Sequence, residues 1–458
     1  MSTLSCLLIA VLSIFPTSLL AISLDVDDTG SILRAAREAA HSVISLYNGN
    51  TTSGTLGKWP YPPYFWWESG ASWNGMIEYY HYTKDPQYLN ITYQGLLSQV
   101  GPEYDFNMPS EAFDEGNDDQ GFWVFAAMSA AEYSFPQPPA PFPPWVQIAQ
   151  NAWESCAVRW NTSGCHGGLK WQFHAENAGW YYKSTISNGC FFQLSARLAR
   201  YTGNATYLLW ANTIWDWTRG VGLIDDMYNV YDGTDELLNC TAVDHHQWSY
   251  NVGAFLYGAA VLQNYTNSSH IWMDRTLGLL DSVNSFVTPF KNSTNMIFEA
   301  ACELKQTCNI DQLSMKAFLV RWLAGTSLMA PFTAGRVGEI LRTSAKGAAA
   351  SCTGAPSGNT CGSKWYIGGW DGTAGLGQQL SAMEVMYALL VNETDPPANA
   401  LSISIQPAPS ISVSATASTQ PSDTSRPLHD GTGPGLRERA HRRVPMIVST
   451  LLILLGVS

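Results

Sequence analysis

Two adjacent carboxylates, Asp118 and Asp119, open the stretch "GNDDQGFWVFAAMSAAE" at residues 116–132. Side by side they repel when both are ionised, which raises one pKa and leaves one acid protonated beside one carboxylate. That division of labour is what hydrolysis of a glycosidic bond with retention requires: a nucleophile for the anomeric carbon and an acid for the leaving oxygen, about 5 to 5.5 Å apart. Successive helical residues diverge by roughly 100°, yet short Asp side chains on one turn still reach that separation. The competing reading is a helix cap. Asn117 or Asp118 would be the N-cap, and acids in a first turn suit the helix dipole. A cap alone does not explain why the tract sits among aromatic loops, nor why Gln120 follows.

The rest of the chain supplies the elements that would hold such a pair. Apolar residues recur at helical spacing in about twelve segments between residues 31 and 391. The even-numbered segments open with polar or aromatic residues and then turn apolar and small on nearly every face, as buried helices do. The odd-numbered ones are amphipathic and carry the charges. Six such hairpins closing on themselves predict an all-α fold, an (α/α)6 toroid spanning residues 24–394. The N-termini of the inner helices would then share one face with long aromatic loops: "KWPYPPYFWWESG" (58–70), "EYDFNMPSEAFDEGNDDQ" (103–120) and "GSKWYIGGWDGTAGLG" (362–377). Aromatic rings among Asn, Gln and Asp suit a sugar-binding cleft, because rings cover C–H faces and amides bond hydroxyls.

Several positions become substrate-binding candidates on this scheme. Trp66 and Trp67 would be stacking platforms or plain loop anchors. Gln120 follows the pair. Asn188, Gln247, Tyr250 and Asn251 open inner helices at the same face, where N-capping is the alternative. Asp232 in "VYDG" would bond a sugar or shape a turn. Trp123 reads as core. His245 and His246 lack further ligands and read as structural rather than metal-binding. Lys316 and Arg321 are expected to pair with acids. No metal and no cofactor is expected.

Composition narrows the partners. A formal net charge of -13 argues against nucleic acid and anionic lipid. The uncharged apolar run over 4–21 reads as a signal peptide ending at residue 23, although a basic n-region is missing. Residues 395–430 are rich in Ser, Thr, Pro and Ala and read as a stalk. Residues 431–458 pair a small-residue patch and a basic spacer with the short apolar tail "VPMIVSTLLILLGVS", the layout of a GPI-anchor signal removed on maturation. A weak membrane helix is the alternative. Nine Cys become eight without Cys6, an even number suited to disulfides. Sequence proximity suggests Cys156–Cys165, Cys302–Cys308 and Cys352–Cys361, which leaves Cys190 for Cys240. Nine N-x-S/T sequons, at Asn50, Asn90, Asn161, Asn204, Asn239, Asn264, Asn267, Asn292 and Asn392, indicate a glycosylated surface protein.

The stretches "GNDDQGFW" (116–123), "GGLKWQ" (167–172), "TISNGCFFQLSARLARYTGN" (185–204), "LIDDMYNVYDGTD" (223–235), "QWSYNVG" (247–253), "MKAFLVRWL" (315–323) and "WDGTAGLGQQLSAMEV" (370–385) resemble glycoside hydrolase family 76, the endo-α-1,6-mannanases, in its fungal GPI-anchored branch. The resemblance implies an (α/α)6 fold and a retaining mechanism, with Asp118 as nucleophile and Asp119 as acid/base. It implies an α-1,6-mannan or GPI-core glycan as donor, and water or β-glucan as acceptor. It also implies a monomer held by a GPI lipid at the outer face of the plasma membrane and in the cell wall. A non-catalytic mannan-binding wall protein stays open beside it. So does an inverting glycosidase, which would draw on Asp114, Glu115, Asp225, Asp226 or Asp371.

Overall fold

The computed structural model describes residues 21–112, 115–355 and 358–403. Most of the expected signal peptide, most of the stalk and the whole anchor signal lie outside them, as does Asp114. Among the described residues no helix is long and apolar enough to cross a membrane.

Six helices form a closed inner ring. They are α2 (Trp66–Thr83), α4 (Asn117–Glu132), α6 (Thr185–Thr202), α8 (Ser249–Tyr265), α10 (Met315–Met329) and α12 (Leu376–Tyr387). Each packs on the next, and α12 packs on α2. Six outer helices complete the hairpins: α1 (Thr29–Ser45), α3 (Leu89–Leu97), α5 (Trp145–Arg159), α7 (Ala205–Gly220), α9 (His270–Ser282) and α11 (Ala334–Ser351). This is the (α/α)6 toroid. The two rings differ as their patterns require. In α1 only one stripe is buried, with Ile32, Ala35, Ala36, Ala39, Ala40 and Val43 repeating at three and four residues. In α8 every residue from Val252 to Gln263 is buried.

The ring places several charges inside the molecule as ion pairs. Arg197 meets Glu132 at 2.6 Å with both side chains nearly inaccessible. Arg321 meets Glu384 and approaches Glu78. Lys316 meets Glu303 at 2.9 Å. Lys316 and Arg321 therefore pair with acids, as expected.

Loops on one face of the ring, at the N-termini of the inner helices, are long; those on the other are shorter, the α4–α5 connection over 133–144 being the longest of them. A small antiparallel sheet sits on the long-loop face, with β1 (Tyr182–Ser184) pairing β2 (Gly233–Asp235) and β2 pairing β3 (Val243–Asp244). The strand β1 runs straight into α6 and so aims the start of that helix. At the opposite face the chain beyond α12 does not leave at once. Arg200 donates to the Pro397 and Ala398 carbonyls, the Ala398 N–H donates to the Glu132 carbonyl, and His81 lies 3.1 Å from the Asp395 carbonyl. Residues 395–399, read as the start of the stalk, are thus held against the toroid. At the other terminus Ile22 is buried and its N–H donates to the Cys352 carbonyl, although the expected signal boundary at 23 would remove it.

The disulfides correct part of the expected pairing. Cys302–Cys308 and Cys352–Cys361 are present, but Cys165 joins Cys240 across 75 residues, and Cys156 and Cys190 are free and buried. Proximity in sequence misled because Cys156 lies inside α5 and Cys165 in the loop beyond it, facing the α7–α8 loop.

Candidate active site

The carboxylate pair stands on the first turn of α4, at the long-loop face. Gly116 is the N-cap, and its N–H donates to Asp119 Oδ2 at 2.6 Å. Capping is therefore real, but it is done by the side chain of Asp119 reaching back rather than by Asn117 or Asp118. Asn117 locks the turn to the segment before β1. Its N–H donates to the Trp171 carbonyl, its Nδ2 to the Lys170 carbonyl, and Arg159 donates to its Oδ1. A bridge between Gly116 and Gln172 completes the seam and carries Trp171 to the pair.

Glycine is needed at 116 for close approach. A Cβ there would sit 2.7 Å from the Trp171 carbonyl oxygen, 2.8 Å from Asp118 Oδ1 and 3.2 Å from Asp119 Oδ2. Those last two distances hold one oxygen of each carboxylate, Asp118 Oδ1 and Asp119 Oδ2, within about 6 Å of each other.

The two acids are in different surroundings. Asp119 lines a cleft of about 500 Å³. Asp118 has a buried Oδ1 with no hydrogen-bond partner. Burial pushes its carboxyl up to about 7, against hydrogen bonds from the backbone amides of Asp118 and Asp119, the Ser187 hydroxyl and the Trp171 indole. The free site therefore takes up a proton near neutrality.

The cleft joins aromatic and acidic groups. Phe65, Trp66, Trp67 and Trp171 supply rings, Gln172 and Asn177 amides, and Glu111, Glu115, Glu176 and Asp311 carboxyls. The Trp66 indole N–H donates to Gln99 Oε1 at 2.9 Å and that of Trp67 to Asp311 Oδ1 at 3.3 Å, so both rings are fixed. Glu115 is buried, with Oε1 unpartnered. Burial, with the Asp119 charge adding, pushes it up to about 9. Trp171, Gln172, Asn177, Glu176 and Asp311 had no local signal as site residues. The seam to Gly116 and the Trp67–Asp311 bond bring them in.

A second group of polar residues flanks Asp118. Asp232 accepts from the Tyr182 hydroxyl at 2.6 Å, and burial raises its carboxyl. Tyr250 is near both acids: burial, then the Asp232 and Asp118 charges, raise its phenol well above the usual range. Asn251 is fully buried with its amide reaching the Asp232 carboxylate, and Gln247 Oε1 has no partner. Unsatisfied buried polar atoms are costly, and a sugar's hydroxyls would satisfy them.

Two candidates are placed differently. Gln120 is fully buried, with Nε2 donating to the Asp105 carbonyl and Oε1 accepting from Arg159. Asn188 is fully buried and clamps Leu169 through both its N–H and its carbonyl. Their amides are spent on protein, because one step along a helix turns the side chain from the cleft into the wall. Trp123 is core, between Trp66 and Phe106. His246 pairs with Asp244, His245 packs on Tyr231, and no metal-holding cluster occurs among the described residues. Of the acids an inverting pair could use, Asp225 accepts from Asn229 and Tyr231, Asp226 is exposed beside Arg219, and Asp371 is bonded within its own loop.

The sequence profile of glycosyl hydrolase family 76 matches residues 31–401. The chain is 42% identical over 396 residues to the mannan endo-1,6-alpha-mannosidase DCW1 of Eremothecium gossypii, covering 86% of each chain. It is 41% identical to the DCW1 enzyme of Saccharomyces cerevisiae over 80% of each. Among solved structures it is similar to Dfg5 from Chaetomium thermophilum in complex with glucosamine, at 40% identity and TM-score 0.79, covering 82% of this chain and 94% of that one. With a toroid whose long-loop face carries the adjacent carboxylates and a match over most of its folded length, the chain belongs to glycosyl hydrolase family 76 and is a glycoside hydrolase.

Proposed function

We propose that the protein is a retaining α-1,6-mannosidase of the secretory pathway and cell surface, held by a GPI anchor. It acts on α-1,6-mannan or the mannose core of a GPI glycan and passes the cleaved glycan to a β-glucan hydroxyl. The observation that carries this reading is the Asp118–Asp119 pair on one helical turn, with one oxygen of each within about 6 Å of the other. Asp118 attacks the anomeric carbon while Asp119, at the open cleft, protonates the departing oxygen. The mannosyl–Asp118 ester is then discharged by an acceptor hydroxyl that gives its proton to Asp119. In the empty site burial raises the Asp118 carboxyl to about 7, so it is protonated below neutrality. Positive charge developing at the anomeric carbon favours the ionised form of Asp118 and leaves the proton for Asp119. Asp232, Tyr250, Asn251 and Gln247 bond mannose hydroxyls on one side of the pair. Trp66, Trp67 and Trp171 hold the glycan on the other. The carboxyls of Glu176 and Asp311 suit an amino sugar there, Glu111 being paired with Lys58, and the Chaetomium relative was solved with glucosamine. Three disulfides accord with passage through an oxidising compartment.

The test is incubation with an α-1,6-mannan or GPI-core oligosaccharide, with and without a β-glucan oligosaccharide, followed by mass spectrometry. A mannose–glucan conjugate lost in Asp118→Asn and Asp119→Asn supports transfer. Shortened mannan alone reduces the function to hydrolysis. Binding without turnover, unchanged in both variants, removes the catalytic reading. Azide assigns the roles: rescue of the nucleophile variant gives the inverted glycosyl azide, rescue of the acid/base variant the retained one.

A further inference from the structure

Arg159 ends α5, is half-buried, and takes no part in the chemistry of the pair, yet it meets the first turn of α4 at two points. Its Nε donates to Asn117 Oδ1 at 2.8 Å, and its Nη2 donates to Gln120 Oε1. Asn117 and Gln120 stand three residues apart, and the two residues between them are Asp118 and Asp119. Both amides turn their oxygens to this one cation because their nitrogens are engaged elsewhere. Asn117 Nδ2 donates to the Lys170 carbonyl and Gln120 Nε2 to the Asp105 carbonyl. Nη2 donates further to Cys156 Sγ at 3.6 Å.

The same guanidinium lies over the ring of Phe173, 4.1 Å from its centroid. Phe173 belongs to the segment 171–178, from which Trp171, Gln172, Glu176 and Asn177 line the cleft with Asp119. One side chain thus joins the turn that carries the acids to the segment that lines the cleft beside them. Helix stability does not account for this placement. A cation in the last turn suits the dipole of α5, but its charged end sits at the N-terminus of α4, where the positive end of that helix disfavours it. The acids gain instead, since the Arg159 charge opposes the burial that raises the Glu115 carboxyl. A lysine would bring the same charge as a point, whereas the planar fork reaches two acceptors at fixed angles.

We propose that Arg159 is a positioning residue of the active site, holding the first turn of α4 on both sides of Asp118 and Asp119 and tying it, through Phe173, to the segment that lines the cleft. Reacting groups misplaced by about 1 Å can lose about 10²-fold in rate, so a turn that carries both acids has to be held at both ends. The proposal rests on the catalytic reading of the pair, but the clamp itself is read without turnover.

Arg159→Met, Arg159→Lys and Phe173→Leu are compared with the unaltered mature protein on α-1,6-mannan oligosaccharides, with melting temperatures measured alongside. Arg159→Met is expected to lower kcat about 10²-fold while KM changes less than about threefold, the pattern of misplaced reacting groups. Arg159→Lys keeps the charge without the fork and should stay at least about tenfold below the unaltered kcat. Phe173→Leu should raise KM about fivefold and leave kcat nearly unchanged. Hydrogen exchange reads the clamp directly. Peptides over 116–123 and 171–178 should exchange at least about tenfold faster in Arg159→Met, with those of α7 and α9 unchanged. Faster exchange in a protein that does not cleave mannan overturns the proposed reaction and leaves the clamp standing. Full kcat in Arg159→Lys, losses of kcat that only track a lowered melting temperature, or unchanged exchange over 116–123 would each overturn the positioning role. An unchanged KM in Phe173→Leu would overturn the tie to the cleft segment.

Discussion

At the scale of single residues, the site is costly to fold. Asp118 sits buried with an oxygen unpartnered and its carboxyl raised, so its ionisation favours the unfolded chain. The sign follows from linkage. Between the ordinary carboxylate value and about 7 the folded protein holds a proton that the unfolded chain has released, so this contribution to stability falls as pH rises. Asp118→Asn should therefore raise the melting temperature at about pH 8 and leave it nearly unchanged at about pH 4. Calorimetry at the two pH values checks this, and an equal shift at both would contradict it. On activity the same substitution, like Asp119→Asn, should cost at least about 10²-fold in kcat/KM. Gly116→Ala tests the spacing. Its methyl would press on Asp118 Oδ1 and the Trp171 carbonyl, and overpacking of this kind costs about 1 to 3 kcal/mol. Turnover should drop at least about tenfold, while the melting temperature falls only modestly.

At the scale of elements, the inner helices trade apolar packing for buried ion pairs at chosen points. Arg197 on α6 and Glu132 on α4 tie neighbouring inner helices at the end away from the cleft. Removing one partner leaves the other charge buried and unpaired. Arg197→Leu should thus destabilise the toroid by about 3 to 5 kcal/mol, read as a lowered urea midpoint. Replacing both Arg197 and Glu132 with apolar residues should recover much of that loss, whereas a merely steric role for Arg197 predicts no recovery.

For the whole molecule, the covalent state is informative. Cys156 and Cys190 are buried and free among the described residues, while the other six pair. The mature protein should release two thiols to a thiol reagent after denaturation without reductant, and none before. Four disulfides would give zero and restore the even pairing expected from the cysteine count. The buried Ile22 predicts a mature N-terminus at or before that residue, which N-terminal sequencing decides.

Helical period, the contrast between all-round apolar and one-sided segments, and the adjacency of Asp118 and Asp119 are local properties, and the sequence determined them by itself. Twelve helices, their inner and outer order and the location of the pair follow, because burial on every face leaves a helix no place but the inner ring. What the tertiary structure decided is where each polar side chain points and what it meets. Gln120 and Asn188 carry the same amides as Gln247, but the first two are consumed by neighbouring segments while Gln247 Oε1 is left unpaired. Trp171 and Asp311 enter the cleft only through a bridge to Gly116 and a bond to Trp67. The partner of Cys165 lies 75 residues away. Hydrogen bonds and disulfides are short-range in space and indifferent to sequence separation, so no periodicity announces them.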